Sequence, residues 1–86
     1  MRIFKKFQSS DLSLVAYFYY LGMEFETEVL SDRPPKLVFK FDDKECEKLR
    51  DEFNNGSVEV EPKRYFHAIK TIKTIVWEKL GTRKVL

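Results

Sequence analysis

The chain has 86 residues, 43% hydrophobic and 15% aromatic, which suits one small domain with a real core and is too short for two. Its 35% charged residues suit a solvated surface, and the net charge is only +2. No run of about 18 apolar residues is present to span a membrane, Met1-Arg2-Ile3-Phe4-Lys5-Lys6 lacks the apolar core of a signal peptide, and the single cysteine, Cys46, excludes an internal disulfide and fits a reducing compartment.

The charge is unevenly spread. Residues 1–23 carry a net +2, residues 24–61 a net −6 and residues 62–86 a net +6. A basic closing segment and an acidic middle partly neutralise one another, or the basic segment faces an anionic partner.

Residues 3–7 read as a short first strand. A helix is predicted over 11–21, with Ser10 as N-cap and Gly22 just beyond its end. Leu12, Val15, Ala16 and Tyr19 fall together on its wheel, extended by Leu14, Phe18 and Leu21. Ser13, Tyr17 and Tyr20 take the remaining side. So apolar a helix must be covered on two sides, and the rest of the chain is expected to wrap it.

Residues 23–30 alternate, with Met23, Phe25, Thr27 and Val29 inward and Glu24, Glu26 and Glu28 outward. Ser31 to Lys36, with Pro34 and Pro35, reads as a turn. In residues 37–41, Leu37, Phe39 and Phe41 are expected inward, and Val38 and Lys40 outward. The two strands predict an antiparallel hairpin in which Lys40 meets a cross-strand glutamate. Asp42 and Glu45 suggest a capping box opening a second, surface helix with a Cys46, Leu49, Phe53 stripe, ended by Asn54-Asn55-Gly56. Residues 57–61 alternate Val58 and Val60 with polar partners, predicting a fourth strand. Pro62 opens a third helix with Tyr65, Ile69, Ile72, Val76 and Leu80 on one face, flanked by Phe66, Ala68, Ile75 and Trp77. Gly81 stops it.

The predicted fold is an α+β domain over residues 1–82: a ferredoxin-like β-α-β-β-α-β antiparallel sheet with an added C-terminal helix, then a loose tail over 83–86.

Chemistry is sparse in this sequence. His67 has no local nucleophile or orienting carboxylate and reads as an exposed histidine. Cys46 reads as a buried small hydrophobe. No Cys/His set has zinc spacing. Glu24, Glu26 and Glu28 share a strand face and suggest a divalent-metal hydrolase, but a solvated face opposed by lysines explains them better. No catalytic residue, metal, cofactor, membrane contact or small-molecule substrate is expected. Lys63, Arg64, Lys70, Lys73, Arg83 and Lys84, with Trp77 as a stacking platform and Arg2, Lys5 and Lys6 nearby, form the candidate nucleic-acid-binding set. A protein partner or a homodimer is the competing expectation.

Three segments carry a family resemblance. They are Phe7-Gln8-Ser9-Ser10-Asp11-Leu12-Ser13-Leu14-Val15-Ala16-Tyr17-Phe18 with Gly22, Phe39-Lys40-Phe41-Asp42-Asp43, and Val58 to Lys73. Together the chain resembles the small proteins grouped as domain of unknown function 5659. The resemblance implies bacteria, archaea and their viruses as the source, often in phage or mobile-element settings; a cytoplasmic location is the expectation that goes with the lone cysteine. It implies no activity and carries over no functional residue.

Overall fold

Alternating burial on one strand and a dense apolar helix are enough to build the centre of this protein. The computed structural model describes residues 7–32, 35–42 and 44–81. Strand β1 spans Phe7–Ser9, helix α1 Leu12–Tyr20, strand β2 Glu26–Asp32, strand β3 Pro35–Phe41, helix α2 Cys46–Asn54 and helix α3 Pro62–Leu80. Of the predicted first strand only Phe7 lies among the described residues; Arg33, Pro34, Asp43 and the tail after Gly81 lie outside them.

The fold is α+β, with three helices and a three-stranded antiparallel sheet of order β1-β3-β2. β3 lies between the first two strands, with Phe7 opposite Phe41 and Thr27 opposite Phe39. The antiparallel hairpin is as expected, and Lys40 forms an ion pair with Glu28. Its strands run on into the turn expected over 31–36: Ser31 pairs with Lys36 and Asp32 with Pro35, while β2 begins at Glu26, so Glu24 lies before it. Pairing shifts between Val29 and Ser31, so Leu30 is the extra residue of a bulge.

The predicted fourth strand does not form. Residues 57–61 are unpaired with the sheet, and the β-α-β-β-α-β order is corrected to β-α-β-β-α-α. Val58 and Val60 are half-buried against the core, as their alternation predicts. The backbone of this segment is tied elsewhere: Ser57 N–H donates to the Glu52 carbonyl at 2.9 Å, and Glu61 N–H to the Tyr20 hydroxyl at 2.9 Å. Alternation reported burial here, not ladder pairing.

Capping decides where the helices begin. Asp11, not Ser10, caps α1: its Oδ1 accepts from the backbone N–H groups of Ser13 at 3.2 Å and Leu14 at 3.5 Å. The helix expected to open at Asp42, with Glu45 three residues on, opens later, at Cys46. Glu45 itself holds the N-cap position of α2, with helical backbone and no capping bond from its side chain. At α3, Glu61 Oε1 accepts from Arg64 N–H at 2.8 Å, Pro62 occupies the first turn, and Gly81 closes the helix at φ +66°.

As expected, α1 is wrapped. Five consecutive residues, Leu14 to Phe18, are buried. Phe18 meets Phe41 edge-on at 5.0 Å and Phe7 at 5.7 Å, which seats α1 on the sheet. Tyr17 stacks on Phe53 of α2 at 5.2 Å. On the other flank the Tyr65 hydroxyl of α3 donates to the Ser13 carbonyl at 2.7 Å, and the Tyr65 ring meets that of Tyr20 at 6.2 Å. Ala68 and Ile72 complete the α3 contact, and buried Cys46 joins the same core.

Several side chains depart from expectation, among them Leu21, which is 45% exposed at the end of α1. Tyr17 is buried while Tyr19 is 40% exposed, because Tyr17 lies where α2 covers the helix and Tyr19 lies in its last turn. Val29 is 45% exposed, next to the bulge on an edge strand. Val38 is buried although it points away from the main core; it lies on the central strand with Glu28 directly across and Lys40 two residues along.

The contacts of buried Tyr17 and half-buried Tyr65 make a pH prediction. Burial, then the Glu52 carboxylate and Tyr20, push the Tyr17 hydroxyl pKa above its usual 10.0. Burial, then Asp11, do the same for Tyr65. The folded chain therefore keeps protons that the unfolded chain releases. The associated stability is complete below pH 10 and is lost as pH rises beyond it. Denaturant unfolding is expected to show a fall in stability from neutral pH to about pH 11 that is smaller in a Tyr17→Phe, Tyr65→Phe double variant. An equal fall in both proteins contradicts this assignment.

Candidate functional site

Helix α3 has one face in the core and an opposite face in water. The water-facing side carries Phe66, Lys70, Lys73 and Trp77, at i, i+4, i+7 and i+11, one stripe along the helix. Phe66 is 59% and Trp77 65% exposed. At 1.5 Å rise per residue the two aromatics lie about 16 Å apart along the axis. Lys70 and Lys73 stand between them, both exposed, and the Lys70 ammonium lies 5.3 Å from the centre of the Phe66 ring.

Lys63 and Arg64 are displaced around the helix from that stripe. With His67, Ala68 and Thr71 they form one wall of a groove of about 460 Å³, whose other wall is Tyr19 and Tyr20 of α1. The Arg64 guanidinium lies over the Tyr20 ring, 5.0 Å from its centre. The predicted cationic set is therefore divided between two neighbouring surfaces, and Arg83 and Lys84, like Arg2, Lys5 and Lys6, fall outside the described residues.

Phe66 was expected beside the buried face and instead lies on the exposed stripe. Its signal is present in the sequence, eleven residues before Trp77, or three helical turns. The groove had no such signal. It arises where α1 and α3 meet, and it brings His67, exposed as expected, beside Lys63 and Arg64.

The acidic strand carries less. Glu24, Glu26 and Glu28 are exposed, and Glu28 is held by Lys40. Among the described residues no three His, Cys, Asp or Glu side chains are grouped to hold a metal ion. No described helix is long and apolar enough to cross a membrane.

The family model for a domain of unknown function, DUF5659, matches residues 4–77. The chain belongs to that family. No curated protein and no solved structure matches it. The matched span of this DUF5659 domain takes in the whole groove and the stripe from Phe66 to Trp77, and stops short of Arg83 and Lys84.

Proposed function

We propose that this DUF5659 domain is a non-catalytic binding module, of phage or mobile-element type, that contacts single-stranded nucleic acid through α3. The observation that carries this reading is the exposed stripe in which Phe66 and Trp77 bracket Lys70 and Lys73. A base has an apolar face that stacks on an aromatic ring whatever its identity, and the phosphates between bases need cations at intervals. The stripe supplies both, and Lys63 and Arg64 extend the positive charge to the first turn.

A second copy of the chain suits this stripe less well. Two such helices packed face to face bring Lys70 and Lys73 of each against like charges, which costs affinity. A protein partner with an apolar, acidic surface is the competing occupant, and salt separates the two. Fluorescence anisotropy of a labelled oligothymidylate is expected to show log affinity falling steeply with log salt. The slope is about −3 if Lys63, Arg64, Lys70 and Lys73 each displace a counterion. Absence of binding at low salt, or affinity indifferent to salt, overturns the reading.

A further inference from the structure

The groove between α1 and α3 has a chemistry of its own, distinct from the exposed stripe. Lys63, His67 and Thr71 follow one another at i, i+4 and i+8 along its α3 wall, and Arg64 joins them from the adjacent row. Every one of these side chains can donate a hydrogen bond, and two are permanently charged at neutral pH. The opposite wall is aromatic. Among the described residues no carboxylate lines the groove. The nearest acid in sequence, Glu61, has its Oε1 turned onto the backbone N–H of Arg64 at 2.8 Å, so that helix-terminal donor is already used. Positive character in the groove therefore comes from side chains and not from an open helix end.

The two walls are not equivalent in availability. Tyr20 has Arg64 over its ring, Tyr17 stacked at 6.5 Å and Tyr65 edge-on. Tyr19 is 40% exposed and touches Phe25 edge-on at 6.3 Å, which fixes its ring and leaves much of its surface in the groove mouth. The volume, about 460 Å³, lies within the range of about 300–1,000 Å³ that takes small ligands. We infer that this groove binds a phosphorylated aromatic ligand, a nucleoside monophosphate unit. Lys63, Arg64 and His67 hold the phosphate and Tyr19 carries the base. That unit is either a free mononucleotide or the 5′-terminal nucleotide of a strand. The inference stands on the groove and does not require the stripe to bind.

Calorimetric titration of the full chain tests it with adenosine 5′-monophosphate, adenosine and inorganic phosphate as probes, beside oligothymidylate with and without a 5′-phosphate. Adenosine 5′-monophosphate is expected to bind about tenfold or more tightly than either adenosine or phosphate, since each lacks one half of the recognition. A Lys63→Gln, Arg64→Gln double variant is expected to lose about tenfold in affinity, and His67→Ala to weaken binding, each with helicity by circular dichroism unchanged. Preference for the 5′-phosphorylated strand over the mononucleotide assigns the strand end as the source, and the reverse assigns the free nucleotide. Adenosine binding as well as its monophosphate, or wild-type affinity in the double variant, overturns the assignment. So does a complete lack of binding while the strand still engages Trp77, a result that leaves the stripe reading standing.

Discussion

Phe18→Ala is expected to cost about 3–5 kcal/mol of folding stability, as deleting a fully buried aromatic ring does. Phe18 is wholly buried and its ring is the hinge point between α1 and the sheet, in edge contact with both Phe41 and Phe7. A domain of this length has about 4–13 kcal/mol in total, so the variant sits near the unfolding threshold at room temperature. Urea denaturation monitored by far-ultraviolet circular dichroism reads the loss directly. A change below about 1 kcal/mol, the scale of a surface substitution, means that α1 is not the centre of the core.

Alanine at Trp77 or Phe66 is expected to do the opposite: little to the fold, much to binding. Both rings are more than half exposed, and their removal is expected to shift stability by no more than about 0.5 kcal/mol. Affinity for an oligothymidylate is expected to fall by about 1–3 kcal/mol per ring, the typical worth of one base–aromatic stack. Trp77→Phe, which keeps a stacking surface, is expected to retain most of it. Unchanged affinity in both alanine variants removes the stripe from consideration, whatever the lysines do.

Phe18 and the two exposed rings also mark what the sequence makes legible. The Leu14, Val15, Ala16 and Phe18 cluster identifies itself, since so dense an apolar helix surface has to be covered. The Leu37, Phe39, Phe41 alternation was equally plain, and both lie in the core. Partner geometry is less visible. Nothing in Ser57 to Glu61 distinguishes a paired strand from an extended segment whose valines lie against the core and whose backbone is tied to Glu52 and Tyr20. Nor does wheel position alone separate Tyr17 from Tyr19, because α2 is what buries one and not the other.

The candidate surfaces follow the same division. Lys70, Lys73 and Trp77 are recognisable from spacing within one helix, and Phe66 joins them once the whole stripe is drawn. The groove depends on Tyr19 and Tyr20 meeting α3 from a distant part of the chain, through the Tyr65 and Glu61 contacts that dock the two helices. Its two cations, Lys63 and Arg64, stand next to one another in the sequence, while the aromatic wall that faces them is a product of tertiary packing.

Trp77 is the chain's one tryptophan, so its intrinsic fluorescence reports the stripe without any label. Titration of the full chain with oligothymidylate at low salt is predicted to quench that emission to saturation, and added salt to restore it as the strand dissociates. Emission that stays constant through the titration, under conditions where the strand is bound, contradicts the proposal that α3 reads single strands by stacking.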